Sequence, residues 1–176
     1  ETPLTAIKNS KNTSMWNSIN AQIDGEADIS LSAGNTGVLF VISKMILKMM
    51  NKVSRPALAG LWPSKKGMSV VLDLGANIEC DENNLVDFSE MGAALFKSIF
   101  PNKKPYVSLL NIGSEEIKGT EVLKKTHAKL KSLSNEKNFI FKGYIEGNQL
   151  MDGDTNVIVT DGFTGNVALK TAEGTA

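Results

Sequence analysis

Short apolar runs rich in β-branched residues alternate along this chain with longer segments whose apolar residues recur at helical spacing, and that alternation narrows the fold more than any other feature. It predicts an α/β layered domain. Met68 to Leu74 is apolar almost without a break, as suits a strand in a sheet covered on both faces. Ala27 to Leu31, Tyr106 to Ile112, Phe139 to Phe141 and Asn156 to Thr160 read as further strands. Helices are predicted from Ser14, read as the N-cap, to about Asp24, from Val38 to Met50, from Asn84 to Ile99, from about Val122 to Leu133, and onward from the turn Asp161 to Asn166. In the second helix Val38, Leu39, Val41, Ile42, Met45, Ile46, Met49 and Met50 cover most of the surface and leave Lys44 and Lys48 as a polar stripe. That helix is expected to be buried. Arg55-Pro56 opens another apolar run, which reaches Trp62 and closes at Pro63. No repeat, low-complexity tract or linker interrupts the pattern, so residues 1–176 read as a single α/β domain.

Charge balance sets aside one class of partner. Lys and Arg number 19 against 19 Asp and Glu, with Arg55 the only arginine, so there is no basic field to hold nucleic acid through its phosphates. Cys80 is the only cysteine, which leaves no disulfide framework and no Cys-based zinc site and points to a reducing compartment. No stretch of about 18 apolar residues is available to span a bilayer, and the chain starts at Glu1 without a signal peptide. The expectation is a cytoplasmic protein.

Four of the predicted elements are followed by loops rich in Gly, Asn, Ser, Thr and Asp: Ser32–Gly37, Gly75–Asn77, Asn111–Gly119 and Thr160–Asn166. In a parallel sheet all four emerge at the same carboxyl edge, where helix N-termini offer unpaired N–H groups and glycine lets an anion approach the backbone. The expected ligand is an anion, phosphate first. Gly34-x-x-Gly37 and Gly162-x-x-Gly165 are common spacings, and neither the Rossmann glycine pattern nor a Walker A sequence is present. Each glycine either serves such a site or a turn or close helix packing. Asn35, Asn77 and Asn166 can donate to a phosphate or carbonyl oxygen without carrying charge, and Asn equally caps helices. Lys118 stands between two turns, able to reach an oxyanion or to lie in solvent. Asp161 can act in acid–base chemistry or orient a lysine or hydroxyl, and Asp before Gly is also a routine turn. His127, on a lysine-bearing helix with no carboxylate partner in view, is expected to be solvent-exposed. Cys80 lacks a paired base, no serine sits in a nucleophile elbow, and Glu115 and Glu116 have no second ligand set, so neither triad chemistry nor a metal is expected. The chemistry needs no enzyme nucleophile and no cofactor.

Six blocks in order carry a resemblance. They are Lys11-Asn12-Thr13-Ser14-Met15, Ser32-Ala33-Gly34-Asn35-Thr36-Gly37, Arg55-Pro56-Ala57-Leu58, Leu72-Asp73-Leu74-Gly75-Ala76-Asn77, Leu109-Leu110-Asn111-Ile112-Gly113 through Lys118-Gly119, and Thr160-Asp161-Gly162-Phe163-Thr164-Gly165-Asn166 running on to Lys170. Together they resemble the PlsX family of bacterial phosphate acyltransferases over essentially the whole chain. The resemblance implies a three-layer α/β/α fold with a mostly parallel sheet, similar to phosphotransacetylases and isocitrate dehydrogenases. It implies transfer of a fatty acyl group from acyl carrier protein to inorganic phosphate, giving acyl phosphate for phospholipid synthesis. The partners implied are acyl carrier protein, inorganic phosphate, a second copy in a homodimer, and transient peripheral contact with the membrane. Because phosphate is itself the nucleophile, such a site must hold an anion, exclude water and stabilise the oxyanion formed on a thioester carbonyl.

On this resemblance Lys118 and Asn166 fall at the catalytic centre, Lys118 stabilising charge on phosphate or the developing oxyanion and Asn166 hydrogen-bonding and orienting. Asn35, Thr36, Gly37, Asn77, Gly113, Asp161, Gly162, Thr164 and Gly165 are the expected substrate or phosphate lining. The family's opening strand with its Asp-Ala-Met-Gly-Gly-Asp loop, and its segment beyond the last helix, have no counterpart here. The chain is therefore expected to be the middle of a longer family member, truncated at both ends. Two other readings stay open: a coenzyme A-dependent phosphate acetyl- or butyryltransferase, and a fragment without turnover that binds phosphate or acyl carrier protein.

Overall fold

A computed structural model describes residues 10–133 and 138–175, which fall into two compact units divided between Pro56 and Ala57. The first unit holds helices α1 (Ser14–Ile23) and α2 (Thr36–Leu47). Each starts at a side chain that answers an orphan N–H of the first turn. The Thr13 hydroxyl accepts from the Trp16 N–H at 3.2 Å, one residue ahead of the expected cap at Ser14. Asn35 Oδ1 accepts from the Val38 N–H at 3.1 Å.

Two expectations fail in this unit. Ala27 to Leu31 forms no strand among the described residues, and Ile29 and Leu31 are exposed. A strand needs a neighbour to answer its backbone groups, and two helices supply none. The second correction concerns α2, where Ile42 is buried while Met45 and Leu47 are exposed. Within the unit α2 packs against α1, and one neighbouring helix covers one stripe, not most of a helix surface.

The second unit holds a five-stranded sheet of β1 (Gly60–Ser64), β2 (Gly67–Leu72), β3 (Tyr106–Leu110), β4 (Ile140–Ile145) and β5 (Val157–Val159) in the order β1-β2-β5-β3-β4. The pairs β2–β5, β5–β3 and β3–β4 are parallel, and β1 runs antiparallel to β2. The apolar run that reaches Trp62 thus becomes an edge strand. There Pro63 is tolerated because, among the described residues, one side of the strand has no ladder to join.

Alternation along the strands divides their side chains between two cores. Val70 and Leu72, Val107 and Leu109, and Val157 and Val159 pack with Leu85, Phe88 and Phe96 of α3 (Glu82–Ile99) and Leu130 of α4 (Glu121–Leu133). Val71, Leu110 and Ile158 face the opposite way, into a cluster with Trp62, Leu74 and Leu150, against which Ala168, Leu169 and Ala172 of α5 (Gly162–Thr175) pack. Helices on both faces make the three layers, and each buried Val, Leu, Ile or Phe contributes roughly 1.5–3 kcal/mol. A sheet covered twice needs apolar residues on successive positions, which accounts for the unbroken apolar run in β2.

The sheet order also brings together parts of the chain that are far apart in sequence. β5 lies between β2 and β3, so the turn that follows β5 sits between the turns that follow its two neighbours.

Candidate functional site

Three of the four loops rich in small polar residues follow β2, β3 and β5 at one edge of this sheet. The fourth, Ser32–Gly37, belongs to the first unit. There Asn35 caps α2, and Thr36 and Gly37 form its exposed first turn.

The turn after β2 is built around Asp73, which is fully buried. Its Oδ1 accepts from the N–H groups of Leu58 (3.0 Å), Gly75 (3.2 Å) and Ala76 (3.0 Å). Its Oδ2 accepts from the backbone N–H and the side-chain Nδ2 of Asn77, both at 2.7 Å. Consecutive N–H groups curled in this way make an anion-binding concavity. Here the anion is the protein's own carboxylate, so the donors of Asn77 are directed inward to Asp73.

Helix α5 is seated on that turn. The Gly162 N–H donates to the Asn77 carbonyl at 2.7 Å, and Asn166 Nδ2 donates to the Leu74 carbonyl at 3.2 Å. A Cβ at Gly162 would lie 2.6 Å from the Asn77 carbonyl oxygen, and one at Gly165 would overlap the Asp73 carbonyl oxygen. Both glycines are required for close approach of helix to turn. Asp161 caps the helix: Oδ1 accepts from the Thr164 N–H at 2.8 Å and Oδ2 from the Thr164 hydroxyl at 3.0 Å.

Lys118 lies on the loop after β3, which Asn111 folds back on itself. Asn111 Oδ1 accepts from the Ile112 N–H at 2.9 Å, and Nδ2 donates to the Lys118 carbonyl at 3.2 Å. The Lys118 N–H donates to the Glu115 carbonyl at 3.0 Å. Gly119, at φ 90°, lies against the Asn111 amide in a conformation that favours glycine. The Lys118 stem lies over Gly113, where a Cβ would come within 3.0 Å of the lysine Cγ. The ammonium is exposed and pairs with no carboxylate among the described residues. Glu116, by contrast, is tied to Lys131 of α4 at 2.8 Å. That hydrogen bond and the charge behind it hold the Glu116 carboxyl below its ordinary pKa.

His127 corrects an expectation. It is 9% exposed, with its ring 4.7 Å from Tyr144 and 5.2 Å from Phe141. Its place four residues after Leu123 and three before Leu130 puts it on the apolar stripe of α4 rather than among the lysines. Burial pushes its pKa down.

Two grooves run along the same edge. The larger, about 690 Å³, is walled by Leu110, Ile112, Leu123, Leu150, Val167 and Ala168, with Asn111, Thr120, Asp161 and Thr164 supplying polar atoms. The smaller, about 550 Å³, is lined by Ile78, Glu79, Cys80, Leu85, Val122 and Phe163, and shares Thr120, Leu123, Asp161 and Thr164 with the first. The edge therefore offers a polar junction between two apolar arms, bordered by the loop that carries Lys118 and by the start of α5. Sequence reasoning passed over Asp73 and Asn111. An acid closing an otherwise apolar strand was a legible signal for Asp73, because a carboxylate in such a place must find donors. Nothing in the sequence marked Asn111 as the brace of the loop seven residues on.

The family model described as fatty acid synthesis protein matches residues 1–176. A phosphate acyltransferase from Pelagibacter ubique is 62% identical over 176 residues, which is 100% of this chain and 53% of that protein. A phosphate acyltransferase from Caulobacter vibrioides is 48% identical, again over 100% of this chain and 48% of its own length. The chain spans about half the length of the curated relatives it matches. Among solved structures, the EutD phosphotransacetylase from Staphylococcus aureus matches with a TM-score of 0.67 at 18% identity, over 92% of this chain and 55% of that one. That likeness is one of fold, and it agrees with the layered architecture described above.

Proposed function

This chain belongs to the fatty acid synthesis protein family, and from that premise we propose that it is part of a phosphate acyltransferase that moves a fatty acyl group from acyl carrier protein to inorganic phosphate. An oxygen of phosphate attacks the thioester carbonyl, so a C–O bond forms and the carbonyl oxygen takes up negative charge. The C–S bond then breaks, the thiolate leaves and takes a proton from solvent, and acyl phosphate remains for phospholipid synthesis. Lys118 stabilises charge on the phosphate or the developing oxyanion, and Asn166 orients by hydrogen bonding. Asn77, Asp161 and Thr164, with Gly113, Gly162 and Gly165, hold the turns on which these two residues stand. On the same reading the protein works as a cytoplasmic homodimer with peripheral membrane contact. Among the described residues no helix is long and apolar enough to cross a membrane.

The observation that carries this reading is a lysine without a carboxylate partner among the described residues, beside a groove walled by apolar side chains. One supplies positive charge for an anionic nucleophile, and the other a place for an acyl group. The test is acyl-phosphate formation by the full-length protein from palmitoyl-acyl carrier protein and inorganic phosphate, with palmitoyl-coenzyme A run in parallel. Lys118→Ala and Asn166→Ala are each expected to lower turnover by about a hundredfold or more, while the melting temperature of Lys118→Ala stays near that of the wild type. Near-normal turnover in a variant removes that residue from the mechanism. Activity with coenzyme A thioesters alone removes acyl carrier protein as donor.

A further inference from the structure

The two apolar arms differ in what they can accept. The smaller carries Glu79 along its wall. Beyond the polar junction, the larger is walled by hydrocarbon: Leu110 and Leu150 are nearly buried, Ala168 and Val167 come from α5, and Ile112 is 81% exposed on the loop that also carries Lys118. Its volume of about 690 Å³ falls within the range of small-molecule sites, which are mostly apolar with a few polar groups fixing orientation. It joins the candidate site through Asn111 and Gly119, the residues packed together in the Lys118 loop.

Resting on the phosphate acyltransferase reading, we propose that the larger arm is the alkyl-chain site of the acyl donor and product, and that Ala168 and Gly147 limit the chain length it admits. An extended peptide in this arm would bring N–H and C=O groups that leucine, valine and isoleucine walls cannot answer. An alkyl chain brings none. At the polar end both oxygens of Asp161 are taken up by Thr164. The acyl chain lies along the arm with its carbonyl at the junction.

Two positions allow the arm to be shortened. A Cβ at Gly147 meets nothing within 4 Å, and Ala168 lies on a helix that accepts leucine. In the full-length protein, Ala168→Leu and Gly147→Leu are expected to lower the ratio of kcat/KM for palmitoyl over butyryl thioester by about tenfold, the effect of keeping two methylenes out of apolar contact. Binding of S-hexadecyl pantetheine, a thioether that cannot transfer its chain, should weaken by a similar factor in calorimetry. Ile112→Gln, at an exposed position where folding is not at stake, should weaken it as well. If the ratio and the thioether affinity stay within about twofold in all three variants, or if both chain lengths lose equally, the larger arm is not the alkyl site. A fall in melting temperature without a change in the ratio has the same meaning, since the groove is then filled by protein. Should the wild type make no acyl phosphate yet bind the thioether in a way these variants weaken, the transfer reading fails and the alkyl site stands.

Discussion

Asp73→Asn keeps the size of the side chain but puts an NH2 where an acceptor is required. Whichever way the amide turns, at least two of the N–H donors from Leu58, Gly75, Ala76 and Asn77 lose their acceptor. Unanswered buried donors cost about 1–3 kcal/mol each, so a loss of about 3 kcal/mol is expected by chemical denaturation. Retention of full stability would mean the turn is held by something else. His127 gives a pH dependence with a definite sign. Burial holds its pKa below the ordinary 6.5, with Glu116 opposing and Lys131 adding to the effect. The unfolded chain then binds the proton first as pH falls, so this contribution is fully present above pH 6.5 and is lost as pH drops through the folded pKa. His127→Phe, which keeps the ring contacts with Tyr144 and Phe141, is expected to flatten that part of the stability profile measured in urea. An unchanged profile would assign the dependence to other groups.

Elements meet at glycines in two places that matter for the site. Gly165→Ala would drive a methyl group into the Asp73 carbonyl, which forces α5 off the turn it is seated on. Overpacking of this kind costs about 1–3 kcal/mol or more, and since the clash is with backbone, a value at the top of that range is expected from thermal or chemical unfolding. Turnover should fall with it, because Asn166 rides on the displaced helix. Most elements were legible in the sequence because their periods are set by what they pack against. β2, α3, β3, α4 and α5 all fall where apolar spacing puts them. β4 was read only to Phe141 and in fact reaches Ile145. A bulge intervenes, with Val107 opposite Phe141 and Leu109 opposite Tyr144, and Gly143 adopts φ 84°. One extra residue breaks the alternation from which a strand is read. Ala27 to Leu31 had the composition of a strand and lacks a partner strand among the described residues.

At the scale of the whole molecule, a phosphate site is detectable without turnover. A ligand that binds the folded state raises its stability by RT ln(1 + [L]/Kd), so inorganic phosphate should raise the melting temperature of the full-length protein in a concentration-dependent way. Lys118→Ala should shift that dependence to higher phosphate. Sulfate and chloride at matched ionic strength separate a site from general salt effects, and equal shifts for all three would argue against one.

Composition, period and turn chemistry determined the α/β class, most strand and helix positions, and the short loops that carry Lys118, Asp161 and Asn166. These are local properties, written within a few residues of each other. Other features could be decided only by tertiary structure. The insertion of β5 between β2 and β3 puts residues 73–77, 111–119 and 161–166 on one edge. The capture of the Asn77 donors by Asp73 turns a presumed anion cradle inward. The exposure of Met45 and Leu47 on α2 and the burial of His127 reverse what their neighbours in sequence suggested. Each depends on which surface comes to lie against which, and periodicity in one segment carries no information about the partner it will meet.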